Sequence, residues 1–263
     1  MKIENSDFSA LWREDRFFII QRSEQQVPLM ALSGIQCGDM GYSKRESDSL
    51  QSGSKYELQR NMWNRRNYLS ALGISPDRVA SCSQIHSKNV LPLSGRYIPP
   101  RENMVGDGLI GNETGVFLSV TVADCLPIFL FSRGRPLTCL LHSGWRGTGI
   151  VKQALEMLEA SHNLRREDCT ANIGPGIGSC CYRVQIERAT FFENLWGAST
   201  VRKDGEDRYL DLKEANRRIL EEEGVKDTVV LPYCTSCDSR FGSFRRQGAR
   251  SFTRMLALIG YFE

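Results

Sequence analysis

The sequence predicts an α/β (α+β) fold: a single compact domain, 1–263, with a mixed β-sheet core and flanking helices. Three observations predict it. The centre of the chain holds nearly continuous apolar runs, GVFLSVTVA (115–123), PIFLF (127–131) and LTCLLH (137–142), as strands buried on both faces require. Residues 147–159 then change to a helical period, with Ile150, Val151, Ala154, Leu155 and Leu158 on one face. Finally, 263 residues without an internal repeat or a low-complexity linker are ample for one hydrophobic core.

The remaining elements follow in chain order. FFIIQ (17–21) and PLMALSG (28–34) read as short strands. Residues 35–56, polar and rich in Ser, Gly and Lys, are expected to form a mobile loop. Residues 57–73 read as a helix, with Leu58, Met62, Leu69 and Leu72 near helical spacing and Gly73 as its stop. Residues 79–85 read as a strand that delivers His86 at its end, and 91–107, with Pro92, Pro99 and Pro100, as an irregular connection. A further strand ends at Ile173, before the glycine run GPGIG. Helices are expected over 185–196 and 211–223, a strand over 228–231 and a helix over 251–259.

Composition narrows the function. Lys and Arg number 34 and Asp and Glu 31; a net charge of +3 spread along the chain is no electrostatic footprint for nucleic acid or a membrane surface. The most apolar stretch, 115–131, is interrupted by Ser119, Thr121, Asp124 and Pro127, whereas a spanning helix needs about 20 apolar residues. The N-terminus, MKIENSDFSALWRED, has no apolar h-region, so a cytoplasmic location is expected. Nine scattered cysteines agree with a reducing compartment, where they stay thiols.

Three motifs place chemistry at the edges of apolar runs: QIHS with His86, VADCLP with Asp124 and Cys125, and LLHSGWRG with His142 and Arg146. Two imidazoles and a thiolate suit zinc, and three protein ligands leave a fourth position for water or substrate. The same atoms also suit a cysteine hydrolase or amidase, with Cys125 as nucleophile, His142 or His86 as base and Asp124 orienting it. Buried thiols and hydrogen-bonded core histidines are the structural alternative. The turn HSGWRGTG leads into a helix whose first N–H groups, with Arg146, would favour an anion. IGPGIG is a turn where backbone could approach a ligand, without the Lys-Ser or Lys-Thr of a phosphate loop. Cys234 and Cys237 form C-x-x-C, half of a zinc site or a redox pair. Arg245 and Arg246 could clamp an anion, and His162 reads as a helix-end surface residue.

Taken together and in this order, QIHSKNV, GDGLI, TVADCLPIFL, LLHSGWRGTGI, IGPGIGSCCYRV and CTSCDSRFGSFRRQGARSFTR resemble the multicopper-polyphenol-oxidase/laccase-like family, also regarded as a purine nucleoside phosphorylase family. The resemblance runs from about residue 57 to residue 254. It implies a fold grouped with the cytotoxic necrotizing factor toxins. It also implies zinc, with copper as the alternative metal, held by His86, Cys125 and His142, which favours the metal over the nucleophile. Family members are credited with phosphorolysis of adenosine, inosine and methylthioadenosine, with adenosine deamination, and with copper-dependent phenol oxidation. The implied partners are purine nucleosides and phosphate, for a monomer or small homo-oligomer. Asp124, Arg146, Arg245 and Arg246 become expected site neighbours. One segment departs from the family pattern: LSGIQCGDMGYSKRESDS lacks the family's Arg-x-Gly-Gly-Val-Ser. If that arginine contacts substrate, Lys44, Arg45 or a C-terminal arginine would replace it.

Overall fold

The computed structural model describes residues 3–5, 8–22, 27–42 and 54–263. In chain order the elements are β1 (Ile3–Asn5), β2 (Phe8–Arg13), β3 (Phe17–Arg22), β4 (Leu29–Ser33), α1 (Ser54–Ala71), β5 (Val79–Ser81), β6 (Val90–Pro92), β7 (Gly108–Gly111), β8 (Phe117–Val122), β9 (Leu126–Ser132) and β10 (Thr138–Ser143). They continue with α2 (Ile150–His162), β11 (Cys169–Ile173), β12 (Arg183–Val184), α3 (Ile186–Trp196), β13 (Val201–Asp204), β14 (Asp207–Leu210), α4 (Leu212–Glu222), β15 (Asp227–Val230), α5 (Phe244–Gln247) and β16 (Met255–Gly260). Seven strands form one sheet in the order β1-β2-β3-β4-β16-β8-β5, and six form a second in the order β15-β11-β9-β10-β7-β6. A small third sheet runs β12-β14-β13.

The period of two along each strand explains how these sheets stack. Phe129 and Phe131 of β9 join Phe18, Ile20, Met30, Leu32, Val120 and Ala257 in the core between the two large sheets. Ile128 and Leu130, on the opposite face of β9, pack with Leu141 and with Ile150, Val151, Leu155 and Ile219 of the helices. Phe17, Ile19, Ala31, Leu256 and Leu258 turn outward from the seven-stranded sheet and meet Tyr68 and Leu69 of α1. The order is therefore helix, sheet, sheet, helices. Buried on both faces, the central strands read as unbroken apolar runs rather than as alternation.

Several expectations change. Residues 251–259 do not form a helix: β16 pairs with β4 and β8, with Ala257 opposite Leu32 and Val120. The expected strand over 79–85 stops at Ser81, and the 91–107 connection contains the end of β6. In α1 the buried face carries Asn61, Asn64, Tyr68 and Leu69, and Met62 is exposed. Gly73 does follow the helix, in the left-handed conformation that glycine favours. The polar face of α1 has a partner in the segment assigned to a loop. Of residues 35–56, the described 35–42 hold a short 3-10 turn, Ile35–Cys37, and a buried Asp39. Asn61 Nδ2 donates to Asp39 Oδ2 at 3.0 Å, Asn64 Nδ2 to the Asp39 carbonyl at 3.0 Å, and Arg254 Nε to Asp39 Oδ1 at 3.0 Å. Lys44 and Arg45 lie outside the described residues.

At the far edge of the six-stranded sheet, Asp227 of β15 accepts from the buried Arg22 guanidinium and from Arg133. Burial pushes its carboxyl up, but the hydrogen bonds from the two arginines outweigh that and hold it below the usual carboxylate value of 3.8. A folded pKa below the unfolded one gives stability that is present above the unfolded value and lost as pH falls through the folded one. Asp227→Asn is therefore expected to cost about 2 kcal/mol at pH 7, since it leaves a buried charge short of its partner. Urea titrations should show the gap closing below pH 4; a gap constant with pH would remove the ion pair as its cause.

Candidate metal centre

The site is built by strand register at one end of the six-stranded sheet. β10 pairs with β9 so that His142 lies opposite Pro127 and Ser143 opposite Leu126. Gly144 follows Ser143 and Cys125 precedes Leu126, just beyond the paired residues. Cys125 occupies the short turn by which the chain leaves β8 in one sheet and enters β9 in the other. A Cβ on Gly144 would sit 2.7 Å from Cys125 Sγ, so glycine there lets the thiol reach the histidines. β10 also pairs with β7, Leu141 opposite Gly108, which sets Asp107 against His142. The His142 N–H donates to the Asp107 carbonyl at 2.7 Å, and Nδ1 meets Asp107 Oδ1 at 2.8 Å.

His86 arrives by a different route. It is not at a strand end but in a turn, at φ 58, before β6. Asp107 shapes that turn: its carboxylate accepts the N–H groups of Ile85 (3.2 Å), His86 (3.0 Å) and Ser87 (2.6 Å), and the Ser87 hydroxyl (2.8 Å). One fully buried carboxylate thus orients His142 and the loop of His86 together. Asp124, next to Cys125, also has a positive φ, 83. Left-handed backbone at two non-glycine residues of one site is strain that the surrounding hydrogen bonds hold.

His86, Cys125 and His142 bring their ligand atoms within 4.8 Å of one another. The two imidazole rings lie 4.9 Å apart, edge to face at 73°. Burial alone would raise the Cys125 thiol; His142 and His86 reverse that and bring it well below 9.0. Burial would lower His142, but the Cys125 thiolate and Asp107 raise it well above 6.5. Burial likewise opposes ionisation of Asp107, and its bonds to His142 and Ser87 still hold it at about 2. A thiolate, an orienting carboxylate and a second imidazole are the donor chemistry of a metal site, with Asp107 fixing the His142 tautomer through Nδ1.

The other predicted residues take distinct places. The Asp124 carboxylate is spent on the Thr235 hydroxyl (2.7 Å) and the Arg245 N–H (2.6 Å). Arg245 donates to the carbonyls of Cys181 (3.1 Å) and Arg183 (2.9 Å) and lines an open groove of about 680 Å³ with Arg183, Arg188, Glu206 and Asp207, of which Arg183 and Asp207 form an ion pair at 2.7 Å. Tyr182 lies under Arg245 and within electrostatic reach of Cys125. Arg246 does not face the groove as a free clamp: it donates to the carbonyls of Thr235, Ser236, Asp238 and Phe241 and fastens that loop. Arg146 is exposed, its guanidinium 5.1 Å from the Trp145 ring, and Arg188 approaches the same ring at 4.6 Å. Gly174 and Gly176 serve packing, since a Cβ would strike Pro127 or Leu126. His162 sits in the last turn of α2. Asp107 and Tyr182 are the residues that sequence reading passed over.

Residues 34–261 match the family model described as multi-copper polyphenol oxidoreductase laccase. The chain belongs to that family. Relatives carry a different activity in their names. The chain is 31% identical over 249 residues to purine nucleoside phosphorylase YlmD of Geobacillus stearothermophilus, covering 89% of this chain and 91% of the relative. It is 31% identical over 187 residues to a purine nucleoside phosphorylase of Clostridium acetobutylicum, covering 69% and 76%. The crystal structure of the Geobacillus YlmD superimposes with a TM-score of 0.78 at 29% identity, over 93% of this chain and 96% of that one. A Bacillus licheniformis protein, YfiH, shares the fold with a TM-score of 0.80 at 24% identity, over 96% of this chain and 98% of that one. Among the described residues no helix is long and apolar enough to cross a membrane.

Proposed function

We propose that this chain is a zinc-dependent purine nucleoside phosphorylase acting on adenosine, inosine and methylthioadenosine, with adenosine deamination as a side activity. The observation that carries the reading is the convergence of His86, Cys125 and His142 in a family whose relatives bear that name. The donor set fits zinc, and Asp107 on Nδ1 leaves His142 Nε2 for the metal. Held by His86, Cys125 and His142, zinc would supply Lewis-acid chemistry.

The chain's own groups supply the rest. Phosphorolysis makes a bond from phosphate oxygen to the anomeric carbon as the bond to the purine nitrogen breaks. Arg245 and Arg146 hold the phosphate, since guanidinium offers paired donors to its oxygens. Asp124 acts as a positioning residue: its bond to the Arg245 N–H fixes where that side chain starts. Arg246 fastens the loop behind it. Tyr182, pushed up to about 12 by burial and by the neighbouring thiolate, keeps its proton.

Purified zinc-loaded protein should convert inosine or methylthioadenosine and inorganic phosphate into free base and the pentose 1-phosphate in equal amounts. Arg245→Ala and Arg146→Ala should raise the KM for phosphate about tenfold while touching deamination less. Equal loss of both activities would remove the phosphate assignment. Two other readings have an observation each. A two-histidine, one-cysteine donor set also accepts copper, and the family's description is that of a polyphenol oxidase. Phenol oxidation by copper-loaded protein without phosphorolysis would select it. The lowered Cys125 thiol beside His142 suits a cysteine hydrolase or amidase; rapid alkylation of Cys125 in metal-loaded protein would select that.

A further inference from the structure

Outside this site the fold gathers a second cluster. Cys180 and Cys181 follow β11, and Cys234 and Cys237 follow β15. β11 and β15 are parallel neighbours, Ile173 opposite Val230, so both loops leave the sheet from the same end. The pairing continues past the strands, with Gly176 bridged to Cys234 and the Thr235 N–H donating to the Gly176 carbonyl at 3.1 Å. The four sulfurs all lie within 4.8 Å of one another; Cys237 Sγ is 3.6 Å from Cys180 Sγ and 3.4 Å from Cys181 Sγ. All four are free thiols.

We infer that Cys180, Cys181, Cys234 and Cys237 bind a structural zinc ion, distinct from the His86–Cys125–His142 centre. Zinc–sulfur bonds of about 2.3 Å in a tetrahedron set sulfurs about 3.8 Å apart, close to the spacings of Cys237 from its neighbours. Two further features suit a thiolate cluster. The Gly178 N–H donates to Cys234 Sγ at 3.2 Å, and a Cβ at Gly178 would crowd Cys180 Sγ and Cys234, so the turn is shaped around sulfur. Lys213, 8% exposed, carries its ammonium to the Tyr233 carbonyl at 2.5 Å, within electrostatic reach of Cys234 and Cys180. A zinc ion with four thiolates has a net charge of −2, and a buried ammonium beside it offsets part of that. The two sites also differ in kind: four protein ligands close the coordination sphere, whereas three leave it open for chemistry.

Such an ion would tie together the loops that carry Tyr182, Thr235 and the carbonyls gripped by Arg245 and Arg246. It is a staple for the groove wall, and it stands whether or not the phosphorolysis reading does. The test is metal analysis of protein purified under reducing conditions from zinc-supplemented cells. Cys125→Ala should retain one tightly held zinc, and adding Cys180→Ser and Cys237→Ser should remove it. Cobalt in the Cys125→Ala chain should give intense thiolate-to-metal charge-transfer absorption. Wild-type protein supplies the check that does not depend on a variant's folding. Exposed Cys180 and Cys237 should alkylate at least about tenfold more slowly when zinc-loaded than after chelation, as peptide mass mapping reads it. Equal alkylation with and without chelator would overturn the site. So would zinc content unchanged by the two serine substitutions, or disulfides among these cysteines in place of metal.

Discussion

Asp107→Ala is expected to weaken metal binding at the His86–Cys125–His142 cluster by about 100-fold and to destabilise the fold by about 4 kcal/mol. Both numbers follow from what its carboxylate touches. It accepts three backbone N–H groups and a hydroxyl of the 85–87 turn and orients His142 through Nδ1. A partner that orients a ligating histidine is typically worth 10- to 100-fold in metal affinity, and here the same group also sets the second histidine's turn. Each buried donor left without its acceptor costs about 1–3 kcal/mol. Chelator competition would read the first effect and urea unfolding the second. Asp107→Asn separates them: it keeps one acceptor for the turn but confronts N–H groups with an amide. Stability should recover in part while metal affinity stays low. The sign of the acid dependence is also set. With a folded pKa of about 2 against 3.8 unfolded, Asp107 stabilises above the unfolded value and loses that contribution as pH falls between them. An Asp107→Ala protein with undiminished metal affinity would show that the carboxylate only holds the turn.

The second large effect belongs to the ligands. Cys125→Ala and His142→Ala should each lose most of the metal bound at this cluster, with kcat/KM down by at least about 10³, or roughly 4 kcal/mol. Gly144→Ala tests the same geometry without deleting a donor. Its methyl would stand 2.7 Å from Cys125 Sγ, so the thiol must move and affinity should drop about tenfold with all three ligands intact. Metal retained in full by Cys125→Ala at this cluster would remove the assignment.

Much of this was legible from residues alone. The runs that became β8, β9 and β10 are apolar enough to demand burial on both faces, and α2, α3 and α4 lie close to the expected ranges. β16 was misread because Met255, Leu256, Ala257 and Leu258 favour a helix locally. In the fold alternate residues of that segment fill two different cores, one against the second sheet and one against α1, which a strand does and a helix would not. The small sheet β12-β14-β13 escaped notice because its residues are polar and short in run. Asp107 was hidden for another reason. In GDGLI it reads as a turn residue between glycines, and nothing nearby in sequence shows that β10 will pair beside it.

Residue type and local pattern determined which groups could do chemistry: two histidines and a cysteine flanking apolar runs, and a cysteine pair near the C-terminus. Only the tertiary structure decided which of them meet. Register across β7, β9 and β10 set Asp107, Cys125 and His142 side by side, and the parallel pairing of β11 with β15 brought two distant cysteine pairs together. The reason is physical: local preference acts over a few residues, whereas register is fixed by burying whole faces of a sheet, where a slip of one position would turn every side chain the wrong way.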